Sequence, residues 1–195
     1  FQVPVIVRVT TRTSHTSTIV DIGSDERGEA PSIPYAKNPQ RNVAVPAFAR
    51  LMRFAVEKRT VALRELSEQS SFNRAEPGTG DIGFVASGVA YQYVKEVFPE
   101  APVFKVGLSF PPPLEKIRAF SAGLNRLLVI EESDPVLADQ IRAVGIPVFE
   151  PATELHMMEL NPMRLSALRA ELFSTTAPIP PAPQTDLPVR PPVLC

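Results

Sequence analysis

Four short stretches carry residue types that could do chemistry. "RTSH" places Arg12, Thr13, Ser14 and His15 directly after an apolar run. Arg and His side by side suit a carboxylate or a phosphate, and loops at strand ends often carry function. The other reading is a polar turn or an interdomain anchor, and the residues alone leave both open. "GTGDIG" (Gly78, Gly80, Gly83) spells the dinucleotide pattern G-x-G-x-x-G. That pattern works only when the glycines follow a strand and open a helix, so that amides and dipole meet pyrophosphate. Here they precede the strand, which favours a turn and a strand entry. "VASGVAY" puts Ser87 and Gly88 at a strand-to-helix turn, the edge where open α/β sheets bind ligands. It lacks G-x-S-x-G spacing, so Ser87 reads as a helix cap and Gly88 as a tight-turn residue. "IEESDP" groups Glu131, Glu132 and Asp134 at a strand end. Asp134 there reads as a helix cap, with neighbouring carboxylates favoured by the helix dipole.

Metal and nucleophile chemistries find little support. The chain has two histidines, His15 and His156, and one cysteine, Cys195. "HMMEL" is not H-E-x-x-H, and no ligand spacing of a zinc site occurs. No catalytic, cofactor-binding or metal-binding residue is therefore assigned. Arg12, Ser14 and His15 are kept as a substrate-binding or interdomain-junction candidate.

The elements that must position these stretches follow from periodicity. Residues 3–10, "VPVIVRVT", read as a strand. Residues 16–45 are rich in Pro, Gly, Ser and charge and read as a linker, hence a domain boundary. From Pro46 a long helix carries Phe48, Leu51, Met52, Ala55, Val56, Ala62, Leu63 and Leu66 at helical spacing. Strands at 82–87, 102–109 and 127–132 then alternate with helices at 88–98, 114–123 and 134–145. A short last strand at 146–149 and a helix at 161–173 follow. In the helix at 134–145, Asp134 is the expected cap, Pro135 the first residue and Gly145 the C′ glycine. Asn161 and Pro162 repeat that cap-and-proline start. The strands are mostly continuous apolar runs, as in a parallel sheet covered on both faces. Residues 46–173 are thus expected to form an α/β layer fold, a mostly parallel sheet with helices on both faces. Residues 174–195 are proline-rich and read as a stiff connector.

Composition bounds the function classes. In 195 residues there are 20 basic and 21 acidic side chains, a net charge of −1. That balance gives no electrostatic case for nucleic acid or an anionic membrane, and no apolar run is long enough to span a bilayer. The first residues lack the basic, apolar and small-residue pattern of a signal peptide. One cysteine allows no internal disulfide, which fits a reducing cytoplasm.

Several stretches in order resemble a known family. "VIVRVTTRTSH", "KNPQRNVAVPAFARLM", "SFNRAEPGTGDIGFVASGVAYQYVKE", "VGLSFPPP", "LLVIEESDP", "ELNP" and "LPVRPPVLC" are similar to the alpha subunits of the indolepyruvate ferredoxin oxidoreductases. These are thiamine-dependent 2-oxoacid:ferredoxin oxidoreductases. The resemblance implies that residues 1–15 are the last strand and turn of a pyrimidine-type thiamine domain. It makes residues 16–45 a linker and residues 46–173 a domain like the C-terminal domain of transketolase. Residues 174–195 become a link into a thiamine-diphosphate-binding domain, whose first cysteine Cys195 matches without an assigned role. The chain is then expected to be a middle segment of a larger subunit and inactive alone. The implied reaction is oxidative decarboxylation of an arylpyruvate, indolepyruvate among them, to an acyl-coenzyme A and carbon dioxide. Implied cofactors of the whole enzyme are thiamine diphosphate, Mg2+ and [4Fe–4S] clusters, none of them held by this segment. Implied partners are the rest of the alpha subunit, a beta subunit and ferredoxin. Without the resemblance, the residues suggest a freestanding α/β module binding a small anion or a protein through Ser87, Gly88 and "RTSH".

Overall fold

The structure, a computed structural model, describes residues 1, 3–23, 32, 34–157 and 159–175. The expected connector beyond Thr175, Cys195 included, lies outside the described residues, as do 24–31 and 33 of the expected linker. The chain divides into two units, residues 1–62 and residue 63 onward.

In the first unit the expected strand at 3–10 is absent, which corrects that reading. Residues 3–10 have no regular structure, and Ile6 is 88% exposed. The run is β-branched and apolar, but a strand exists only through ladder bonds to a neighbour. Two single-turn helices were not foreseen, α1 (Thr11–Ser14) and α2 (Pro39–Asn42). Each is fixed by a side-chain cap: Thr10 Oγ1 accepts from the Thr13 amide at 3.3 Å, and Asn38 Oδ1 from the Arg41 amide at 3.2 Å. Helix α3 (Pro46–Gln69) begins at the expected proline and runs across the division between the units. Its apolar stripe is largely uncovered: Leu51 is 69% exposed, and only Ser67 of the whole helix is buried.

The second unit holds β1 (Arg74–Glu76), β2 (Ile82–Ser87), α4 (Gly88–Val97), β3 (Val103–Val106), α5 (Leu114–Ser121), β4 (Arg126–Ile130), α6 (Val136–Ala143) and α7 (Pro162–Phe173). The sheet order is β1-β3-β2-β4. β2 runs parallel to β3 (Phe84 opposite Val103) and to β4 (Phe84 opposite Leu128). This is the expected mostly parallel sheet. β1 was not foreseen: it pairs antiparallel with β3, Arg74 opposite Lys105. A three-residue charged strand is too short to show alternation, and its charges suit a sheet edge.

Alternation along the strands sends side chains to two cores. Phe84, Ala86, Val103, Leu128 and Ile130 pack with Tyr91 and Val94 of α4 and Leu165 and Leu168 of α7. Val85, Phe104, Val106, Leu127 and Val129 pack with Ile117 of α5 and Leu137 and Ile141 of α6. Helices therefore cover both faces. Each large apolar side chain buried this way contributes about 1.5–3 kcal/mol. The expected strand at 146–149 does not form. Pro147 brings no N–H to a ladder, and a single bond remains, from the Phe149 amide to the Leu127 carbonyl at 2.7 Å.

The glycines of "GTGDIG" serve packing. A Cβ on Gly78 would stand 2.3 Å from the backbone of Ala101 and Pro102, and one on Gly83 would stand 2.3 Å from Leu124 Cδ1. Gly80 has φ +96°. The segment enters β2, as its position before the strand implied. Gly145 also stands as expected, at φ +81° closing α6, its amide bonding the Arg142 carbonyl at 2.8 Å.

Candidate functional site at the carboxyl edge of the sheet

The parallel strands end at Ser87, Val106 and Ile130, and the loops beyond them form the edge where α/β sheets place ligands. After β2, Gly88 takes φ +54°, a left-handed conformation that glycine adopts without strain. Ser87 occupies the cap position of α4, yet its hydroxyl makes no cap bond. The cap role expected of Ser87 is thus corrected: the extended Ser87 and the turn at Gly88 set the helix start.

After β4, the carboxylates are engaged by backbone. Glu131 accepts the amides of Leu137 at 3.0 Å and Ala138 at 2.9 Å, one on each oxygen. Glu132 accepts the Leu160 amide at 2.9 Å. Glu131 therefore caps α6, and Asp134 does not; Pro135 stands at the cap position. A carboxylate six residues upstream reaches the helix because Ser133, at φ +62°, folds the connection back. Asn161 does cap α7 as expected, accepting the Arg164 amide at 2.9 Å, with Pro162 opening the helix.

After β3, the loop is held by residues that no sequence motif singles out. Asn73, fully buried, accepts the amides of Gly107 at 2.9 Å and Leu108 at 2.8 Å. Its Nδ2 donates to Ser67 and to the Leu108 carbonyl. Glu68 accepts the first free amides of α5, from Glu115 at 2.9 Å and Lys116 at 3.0 Å. Lys116 Nζ returns to the carbonyls of Ser70 and Asn73, both at 2.9 Å. Asparagine and glutamate are common surface residues. Only their burial and reach reveal these roles.

One charged cluster stands on the face that α4 covers. Glu76 Oε1 accepts from the Tyr91 hydroxyl at 2.8 Å and from Arg74 at 3.0 Å, and Oε2 lies 3.4 Å from Lys95 Nζ. Burial pushes the Glu76 carboxyl up, but the bonds from Tyr91, Lys95 and Arg74 outweigh it and leave it below its ordinary value. Burial, then Glu76, pushes the Tyr91 phenol up. Lys105 Nζ sits 4.5 Å over the Tyr91 ring. These groups satisfy one another.

Arg12, Ser14 and His15 fall in and after the single turn of α1. Ser14 Oγ donates back to the Thr10 carbonyl at 3.1 Å, and the His15 amide bonds the Thr11 carbonyl at 3.0 Å. Both residues are exposed, and the side chain of Arg12 lies outside the described residues. The turn thus shows local bonds at Ser14 and His15, and among the described residues it brings in no other functional residue. A cavity of about 340 Å³ lies beside α6, with His156 in its lining. The Nδ1 of His156 is buried with no hydrogen-bond partner among the described residues.

The described residues do not fit Mg2+ or an iron–sulfur cluster. The oxygens of Glu131 are taken by amides, and no three His, Cys, Asp or Glu side chains gather among the described residues. No described helix is long and apolar enough to cross a membrane.

No family model matches the chain. Indolepyruvate oxidoreductase subunit IorA of Methanothermobacter thermautotrophicus is 37% identical over 151 residues, 74% of this chain and 24% of the relative. The subunit of the same name from Methanothermobacter marburgensis is 35% identical over the same shares. Among solved structures, a 2-oxoglutarate:ferredoxin oxidoreductase from Magnetococcus marinus is 23% identical with a TM-score of 0.48, covering 66% of this chain and 24% of that one. The chain spans about a quarter of the length of the curated relatives just given. Within that quarter, the chain belongs to the family of the indolepyruvate oxidoreductase IorA subunits.

Proposed function

We propose that this chain is a structural middle domain of an oxidoreductase that converts arylpyruvates, indolepyruvate among them, to the acyl-coenzyme A and carbon dioxide. The two electrons released per turnover pass to ferredoxin. Thiamine diphosphate, Mg2+ and [4Fe–4S] clusters supply the carbanion and electron-transfer chemistry from other parts of the enzyme. The beta subunit, ferredoxin and the rest of the alpha subunit are its partners. The observation that carries the structural role is the fate of the polar groups at the carboxyl edge. Glu131, Glu132, Glu68 and Asn73 each hold backbone amides. They are spent on fixing loops, so this edge is built as a rigid frame.

In this reading Arg12, Ser14 and His15 serve the junction with the preceding domain. The 195-residue chain should show no turnover with indolepyruvate, coenzyme A, thiamine diphosphate and a viologen acceptor, whereas the complete enzyme should turn over. In the complete enzyme, Arg12→Ala should lower the melting temperature and activity together. An unchanged melting temperature with turnover down about a hundredfold, roughly 2.7 kcal/mol, would instead make Arg12 a substrate contact, most simply the clamp on the 2-oxoacid carboxylate.

A further inference from the structure

The loop between β3 and α5 combines a fixed backbone with an apolar tip. Buried Asn73 grips Gly107 and Leu108, accepting their amides and donating to the Leu108 carbonyl at 3.3 Å. Buried Ser67 donates its hydroxyl to the Pro111 carbonyl at 2.6 Å. A Cβ on Gly107 would stand 2.9 Å from Phe72 Cβ, so the glycine lets the two segments close. A buried polar network rigidifies what it holds when its members are satisfied. What this one holds is Phe110, 77% exposed, and next to Asn73 in sequence stands Phe72, 65% exposed. The neighbouring exposed residues Ser71 and Ser109 carry no charge. Exposed aromatic side chains on a fixed backbone have the make-up of an interface anchor, because little backbone ordering is left to meet on docking.

We infer that Phe72 and Phe110 dock this unit into an apolar pocket of another domain of the same full-length subunit. Two rings offer roughly 200–350 Å² of contact, against about 800 Å² per partner in a stable free complex. Such a patch is too small for a dimer of separate chains. It suffices for a tethered domain, whose effective concentration reaches the order of millimolar. The relatives supply the length for such a domain, since the matched stretch is 24% of each. The inference rests on the reading of this chain as part of a longer oxidoreductase subunit.

Hydroxyl-radical footprinting of the 195-residue chain and of the full-length subunit tests it, with Phe104, 1% exposed, as the internal reference. Phe72 and Phe110 are expected to label readily in the 195-residue chain and to lose most of that labelling in the full-length subunit. Phe110→Ser in the full-length subunit should restore labelling at Phe72, while leaving the melting temperature of the 195-residue chain unchanged. Equal labelling of both rings in the two proteins overturns the inference. So does a concentration-dependent dimer of the 195-residue chain that Phe110→Ser abolishes, since the occupant is then a second copy. Indolepyruvate turnover by the same full-length preparation separates the two readings. Turnover without protection sinks only the docking surface, and protection without turnover sinks only the reaction.

Discussion

The first unit and the sheet unit contain the same kinds of apolar run, with opposite fates. "VPVIVRVT" at 3–10 stays irregular and exposed, whereas "IGFVAS" at 82–87 becomes the central strand β2. Ile6 is 88% exposed and Phe84 is 0% exposed. Neither hydrophobicity nor β-propensity separates them, because propensity reports a fit to a pleated, half-buried surface. The difference is the neighbours: β2 has β3 and β4 on its two edges and helices on both faces. Among the described residues, no strand pairs with residues 3–10.

The largest effect that sharpens this contrast is in the core. Phe84→Ala should cost about 3–5 kcal/mol, the range for deleting a buried aromatic side chain. Ile6→Ala should stay within about 0.5 kcal/mol, as exposed sites do. Urea denaturation of both variants measures the pair. An Ile6→Ala cost above about 1 kcal/mol would show residues 3–10 packed in solution and break the comparison.

A smaller effect tests the frame at the carboxyl edge. Glu131→Gln should cost about 1–2 kcal/mol, combining a lost cap acceptor with a lost charge at a helix N-terminus. Asp134→Ala should leave stability within about 0.5 kcal/mol. Thermal melts of the two variants check it, and the reverse ranking would return the cap of α6 to Asp134.

The smallest effect is on pH. The hydroxyl of Thr153 holds Glu171 below its ordinary carboxyl value of 4.5; burial opposes this, and the amides of Ala152 and Thr153 add to it. Glu76 is depressed as well, its bonds outweighing its burial. A carboxyl depressed in the folded state stabilises fully above its unfolded value, and that stability is lost as pH falls through the folded value. The sheet unit should therefore lose melting temperature on acidification below about pH 4.5, and Glu171→Gln should flatten that slope. A variant melting profile parallel to the wild type over this range would show that Glu171 contributes nothing to it.

Much of the fold is legible in the sequence because burial on both faces writes long apolar runs. β2, β3 and β4 and the helices between them follow from that pattern, with ends shifted by a few residues. Gly145, Asn161 and Pro162 mark helix ends through local chemistry that needs no distant partner. The site at the carboxyl edge is less legible. "IEESDP" announces an acidic strand end, but which carboxylate caps α6 depends on the turn at Ser133 and on reach across the loop. Asn73 carries no signal at all, since its partners Gly107 and Leu108 lie 34 and 35 residues away.

The sequence by itself determined the strand–helix alternation of 82–145, the cap of α7, the strand-entry position of "GTGDIG" and the kinship with the indolepyruvate oxidoreductase subunits. These rest on periodicity, local backbone chemistry and residue identity, which act or are read along the chain. Tertiary structure alone decided that 3–10 is no strand, that 146–149 keeps one bond instead of a ladder, that β1 closes the sheet edge antiparallel, and that Glu131 rather than Asp134 caps α6. Each of those outcomes is a hydrogen bond, made or missing, with a partner chosen by the folded backbone, and the spacing of residues along a chain does not encode which partner arrives.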